Sequence, residues 1–248
     1  MFNFEIPVLM VDLETTGLDK IDNGILQIGM VVIHKDGSFT DEFSVDVKLE
    51  KPWGNKVNDE ALKVNHINLV EHNKVGMSNK AAQKLVDSYL QNLKGIYGRK
   101  LAISGHNIIQ FDLPWLENWM NFARSSEPEK GGTWFDVYFG WLSPVLDTKQ
   151  LFTAVKDYKE FGLKSLKKDD ILVWYGIDNV RHGNLHQALP DSKYEGELLH
   201  MMFKTGLLST TQSLLEISPQ KMNVYKRSAK MLKEMKKLMD EIDGIPEL

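Results

Sequence analysis

Four acids and one histidine carry the chemical content of this sequence, in three separated clusters. In the first, the apolar run Val8-Leu9-Met10-Val11 leads straight into Asp12-Leu13-Glu14 and then Thr15-Thr16-Gly17. Side chains alternate along a strand, so Asp12 and Glu14 point to the same side of a sheet. Two carboxylates placed there repel each other and resist desolvation. A cation between them removes the conflict, and Mg²⁺ or Mn²⁺ matches because hard divalent ions take oxygen ligands. The plainer alternative is that both acids have reached solvent at the strand end.

The second cluster is His106-Asn107-Ile108-Ile109-Gln110-Phe111-Asp112, directly after a buried strand. Taken alone, Asp112 reads as a helix N-cap, with Pro114 in the first turn. An acid at a helix start can satisfy backbone donors and still face a site. The third cluster is His186-Gln187-Ala188-Leu189-Pro190-Asp191. His186 and Asp191 do not share one helical face, so the pattern works with His186 in a loop and Asp191 in a first helical turn. The alternatives are helix-start electrostatics for Asp191 and a surface loop position for His186.

The elements that must hold these clusters follow from periodicity. Val8 onward is a strand buried on both faces. Ile25–Ile33 is a second strand, and Asp36-Gly37 marks a hairpin into a third, alternating strand over Phe39–Val47. Asp59–Val64 begins a short helix that breaks at Asn65-His66-Ile67. Asn79–Leu93 is an amphipathic helix with Ala82, Leu85, Val86, Tyr89 and Leu93 on its apolar stripe. Leu101–Ser104 and Pro144–Thr148 are further strands. Helices are expected over Asp112–Phe122, Lys149–Val155, Ser165–Tyr175 and Pro190–Lys204. The polar stretch from Ala123 to Gly132 reads as a loop, and the aromatic cluster from Trp134 to Trp141 as core or lid packing. Between Pro219 and Ile242 an apolar stripe from Met222 to Ile242 is flanked by lysines, as in one long helix. The sum is an α/β fold with a mixed five-stranded sheet, an antiparallel meander plus parallel strands, flanked by helices. The domain expectation is a catalytic unit over 1–210 and a helical appendage over 211–248.

Composition narrows the function classes. The 248 residues include no cysteine, which excludes disulfides, thiolate metal sites and cysteine nucleophiles. The N-terminus lacks a basic region followed by a long apolar run, and no apolar stretch suffices to span a bilayer. A cytoplasmic protein without membrane association is therefore expected. The formal net charge of −4 gives no general support for nucleic-acid binding. An acidic metal site, however, contributes negative residues that the metal offsets.

Taken together, the three clusters resemble the DEDDh family of 3′–5′ exonucleases, the superfamily of proofreading exonucleases, oligoribonuclease and RNase T. Asp12-Leu13-Glu14-Thr15-Thr16-Gly17 resembles its first signature, Asn107-Ile108 with Phe111-Asp112 its second, and His186, Ala188 and Asp191 its third. The histidine marks the "h" subclass. Ala61–Ile67 is similar to the family's nucleotide-contacting loop, and Asp147-Thr148 with Leu151 to the strand after the second signature. The likeness covers about residues 5 to 205. It departs from the family at the insertion spanning 123–142 and at the C-terminal helix.

The resemblance implies a ribonuclease H-like fold and two divalent ions, Mg²⁺ or Mn²⁺. By family analogy Asp12 bridges the ions, Glu14 and Asp191 complete one, and Asp112 holds the other through water. His186 is then the general base, suited by an imidazole reference pKa of roughly 6.5. Thr15, Leu18, His66, His106, Asn107 and Phe111 are candidates for holding the terminal nucleotide. The implied activity is removal of nucleoside 5′-monophosphates from the 3′ end of single-stranded nucleic acid, with DNA favoured slightly. Two other readings stay open: an exoribonuclease acting on short RNA or RNA 3′ ends, and a non-catalytic binding module on the same fold. A homodimer and a replication or repair partner are open as well.

Overall fold

The run that leads into Asp12 forms β1 (Val8–Thr15), the middle strand of a five-stranded sheet. The computed structural model describes residues 6–51, 56–98, 101–124, 145–153, 165–177 and 186–204. Val8, Leu9, Met10 and Val11 are wholly buried, as a strand covered on both faces requires. β2 (Ile25–Ile33) pairs antiparallel with β1, and β3 (Phe39–Asp46) antiparallel with β2. Gly37, at φ +86°, makes the hairpin turn between them. β4 (Ala102–Gly105) lies parallel to β1 on its other side, and β5 (Val145–Asp147) parallel to β4. The order is therefore β3-β2-β1-β4-β5, a meander extended by parallel strands as the sequence led one to expect.

Helices cover both faces. α1 (Asp59–Asn65), α2 (Leu69–Val75) and α3 (Asn79–Tyr97) follow the meander. α4 (Asp112–Arg124), α5 (Thr148–Thr153), α6 (Lys168–Trp174) and α7 (Ala188–Lys204) come later. Leu9, Val11 and Leu13 of β1 pack with α3 and α4, through Val86, Leu90, Trp115 and Trp119. Val8 and Met10 face the opposite way, in a cluster with Leu199 of α7. A third core joins Phe152 of α5, Ile171 and Leu172 of α6, and Leu198 and Met202 of α7.

Several local expectations need correction. α2 has no counterpart in the sequence reading, because Val70 and Val75 are exposed and leave no stripe to detect. The Asn68 side chain builds it by accepting from the amides of Val70 and Glu71. On α3, Leu85 is exposed and Leu90 takes its place in the core. α6 begins at Lys168 rather than Ser165, since the Ser165 hydroxyl accepts from the Lys167 amide and donates to Asp170, a local turn in place of a helical one. α7 begins two residues before Pro190, and α4 extends through Ala123 to Arg124. The rest of the 123–142 insertion, the aromatic cluster, the 210/211 boundary and the Pro219–Ile242 helix lie outside the described residues.

Candidate active site

Strand parity decides where the first acids go. Asp12 and Glu14 share a face with Val8 and Met10, so they look toward α7. Asp12 is paired in register with Gly29 of β2. A Cβ at Gly29 would lie 2.1 Å from the carbonyl carbon of Ala188 and 2.2 Å from the Leu189 nitrogen. Only glycine lets the start of α7 come this close to the sheet. The contact is fastened by the Ser192 hydroxyl, which donates to the Gly29 carbonyl at 2.9 Å. Asp191, one residue earlier, is thereby pressed against β1 and is 1% exposed.

Asp112 arrives from the other side of β1. It is the first residue of α4 and is buried, and the backbone amide of Leu13 donates to its carboxyl. The loop before it is shaped by Asp147 at the end of β5. That buried carboxylate accepts from the amides of Asn107 at 3.1 Å and Ile109 at 3.2 Å. Asn107 itself stands at φ +66°, a conformation asparagine tolerates better than most residues.

Two residues absent from the sequence reading complete the cluster. Lys168, at the start of α6, donates to Asp12 Oδ1 at 3.1 Å and to Asp191 Oδ2 at 3.0 Å. Its Nζ also lies 3.1 Å from Oε1 of Glu195. Glu195 is buried one helical turn after Asp191 on the same face of α7, and its Oε2 accepts from the His106 amide at 3.1 Å. The four-residue spacing from Asp191 is a signal that could have identified Glu195. Lys168 sits in a lysine-rich run and has no such signal.

The electrostatics follow from this geometry. Burial pushes Asp12 well above the ordinary carboxylate range; Lys168 opposes the shift, and Glu195, Asp191 and Glu14 add to it. Burial and then Glu195 push Asp112 the same way. Glu195 is also raised, by burial first, with Lys168 opposing. For Lys168, burial disfavours the ammonium, yet Asp12, Glu195 and Asp191 together hold its pKa well above the usual lysine value. The site thus has more carboxylates than one lysine neutralises. Its donors are oxygens, the set that hard divalent ions prefer, and an ammonium already seated among three of them shows that the cluster takes a cation. The residues fit Mg²⁺ or Mn²⁺.

Beside this lies the third signature. One ligand atom each from Glu14, His186 and Asp191 lie within 4.8 Å of one another. His186 Nδ1 is 4.0 Å from Asp191 Oδ2, and His186 stands at φ +56° in the loop before α7, as anticipated. The structure brings all five acid and histidine candidates to one end of β1.

The nucleotide candidates divide. The His66 ring, at the left-handed end of α1, lies 6.3 Å from that of His186. Leu18 is 83% exposed just beyond β1, an apolar side chain open to a partner. Thr15 is buried and donates to the Gly17 carbonyl, so it shapes the turn. Phe111 is partly buried against Trp115, at 5.6 Å between ring centres. His106 is committed within the chain: Nδ1 lies 3.0 Å from the Thr148 hydroxyl and Nε2 3.0 Å from the Leu166 carbonyl. A neutral ring that accepts at Nδ1 and donates from Nε2 satisfies both. Burial, then Lys168, accordingly lower its pKa to about 4. His106 and Asn107 border a pocket of about 410 Å³, with Lys149, Leu166, Lys167 and Lys168 on its walls.

A family model described as RNase_T, Exonuclease, matches residues 9–199. The DNA polymerase III PolC-type of Clostridium perfringens is 26% identical over 205 residues, 82% of this chain, and the chain spans only 12% of that polymerase's length. Among solved structures, cell-death related nuclease 4 superposes with a TM-score of 0.60 at 16% identity, covering 81% of this chain and 64% of the other. E. coli exonuclease I in complex with a dT13 oligonucleotide superposes with a TM-score of 0.57 at 14% identity, covering 79% and 41%. The sheet and its helices are thus those of the ribonuclease H-like exonuclease fold.

Proposed function

The chain belongs to the RNase_T exonuclease family, and from that premise we propose that it hydrolyses single-stranded DNA from the 3′ end with two divalent ions, releasing nucleoside 5′-monophosphates. The observation that carries this is the meeting of Asp12 and Glu14 of β1, Asp112 of α4 and Asp191 of α7, brought by three different segments, at the one end of β1 where His186 also stands. DNA is favoured over RNA because a similar fold has been solved holding dT13 and the curated relative is a DNA polymerase.

Asp12, Glu14 and Asp191 would hold the Mg²⁺ or Mn²⁺ ions, with Asp112 acting through water. Bound there, the ions supply positive charge to the attacking and leaving oxygens of an in-line phosphoryl displacement. His186 takes the proton from the attacking water; its Nδ1 lies 4.0 Å from Asp191 Oδ2, at the edge of the same site. His66, beside His186, and the exposed Leu18 would receive the last nucleotide, Leu18 by packing on a base.

The decisive experiment incubates purified protein with Mg²⁺ or Mn²⁺ and matched 3′-ended DNA and RNA oligonucleotides, with products resolved by size. Mononucleotides should accumulate from the 3′ end, faster from DNA, and cease on chelation. A circular strand cut as fast as a linear one overturns the exonuclease reading; a faster RNA reaction overturns the DNA preference.

A further inference from the structure

The placement of Lys168 goes beyond the motif acids, and its consequence rests on the metal-dependent reading above. We infer that Lys168 is the resident counter-ion of this site, a positioning residue. It holds Asp12 and Asp191 when divalent ions are absent and competes with those ions for the same oxygens; Glu195 is the seat to which it retires.

The distances carry the first part. The ammonium lies 3.0–3.1 Å from one oxygen each of Asp12, Asp191 and Glu195. Asp12 and Asp191 are the carboxylates that the proposed mechanism assigns to the ions. An oxygen lone pair directed at an ammonium proton is not available to a metal, and a dication and an ammonium a few Å apart repel. Occupancy by one therefore weakens the other. Without Lys168, three buried carboxylates would face each other uncompensated, which is strongly destabilising.

Glu195 carries the second part. It belongs to none of the three signatures, yet it is buried, oriented by the His106 amide, and in contact with Lys168. A carboxylate outside the metal set gives the ammonium a partner it keeps after Asp12 and Asp191 turn to metal. Space for the shift is at hand, since Lys168 borders the 410 Å³ pocket. Lysine suits the task better than arginine: a compact point charge on a flexible stem can change partners without breaking a planar, two-pronged contact. The backbone of α6 meanwhile stays anchored by buried Ile171 and Leu172.

The test is Mn²⁺ binding by calorimetry to metal-stripped wild type and Lys168→Met, with melting curves recorded with and without Mn²⁺. The variant should bind Mn²⁺ roughly tenfold tighter or more, the low end of what one neighbouring charge does to a carboxylate's affinity for a proton. It should also melt below wild type without metal, and saturating Mn²⁺ should close that gap. Unchanged or weaker Mn²⁺ binding by the variant overturns the inference and leaves the metal-dependent reading standing. If neither protein binds Mn²⁺ at millimolar concentration, both fall together. Wild type alone provides a second measurement should the variant not fold. The Lys168 side-chain ammonium resonance should move when diamagnetic Mg²⁺ saturates the site, and a resonance that stays in place overturns competition.

Discussion

At the scale of single residues, Asp12 is where function and stability separate most clearly. Burial and three carboxylate neighbours work against its ionised form, so it adds little to the fold of the metal-free protein. Asp12→Ala should abolish hydrolysis while far-ultraviolet circular dichroism and the melting transition persist; a chain that no longer folds would make Asp12 structural instead. His186→Ala should slow turnover by ~10²–10⁴-fold, the usual worth of a general base, with metal binding retained. It should also flatten the acidic limb of the pH–rate profile, and an unaltered limb would remove His186 from proton transfer. His106 makes a separate pH prediction. Its folded pKa of about 4 lies below the ordinary imidazole value of 6.5, so the unfolded chain takes up a proton that the folded one refuses. Stability from this residue is full above about pH 6.5 and is lost as pH falls toward 4, by roughly 3–4 kcal/mol at most, since one pKa unit is about 1.4 kcal/mol. Proton NMR should show its ring neutral from pH 8 down to 5, and a ring that titrates in that window would refute the assignment.

At the scale of elements, the site depends on how closely α7 approaches β2. Gly29→Ala would place a methyl group 2.1 Å from the Ala188 backbone, so the helix start must move. Overpacking of this kind costs about 1–3 kcal/mol. The displaced helix carries Asp191, Glu195 and the end of the His186 loop, so turnover should fall by far more than stability does. Denaturant melts and single-turnover rates on this variant measure the two; equal and small losses would mean that α7 is held elsewhere. This dependence explains what was legible beforehand. β1 and β2 announced themselves as buried runs, and the Asp36-Gly37 turn fixed the first hairpin. The acids were legible because their spacing matched a known family pattern. α2 was not, because Val70 and Val75 face solvent and side-chain capping makes it. Lys168 was not, because its three partners come from β1 and α7, far away in sequence, and only tertiary packing selects one lysine from a lysine-rich run. Glu195 stood in plain view, four residues from Asp191, but a helical repeat of acids becomes chemistry only when a strand end faces it.

At the scale of the whole chain, the site residues among those described fall in one part of the sequence. The family match ends at residue 199, α7 at Lys204, and the last site residue is Glu195. Assembly of the carboxylates is therefore expected not to need residues beyond Ile217, and a chain ending there should retain 3′-directed hydrolysis. A well-folded but inactive truncation would show that the later segment helps build the site. Whether that segment also serves the proposed function is a separate, testable question. Between Pro219 and Ile242 the sequence sets Lys221, Lys226, Arg227, Lys230, Lys233, Lys236 and Lys237 around the Met222–Ile242 stripe, in a chain whose formal charge is −4. Two roles compete for these residues: a solvating face, or contact with substrate phosphates upstream of the 3′ end. Salt dependence distinguishes them. Each phosphate neutralised on a single strand contributes a slope of about −0.7 to log affinity against log salt. If they contact phosphates, replacing Lys226, Arg227, Lys230 and Lys233 together by Gln should reduce the slope for long strands by up to roughly 3, with di- and trinucleotides bound as before. An unchanged slope assigns these side chains to solubility, and weakened binding of the shortest substrates would place them at the active site itself.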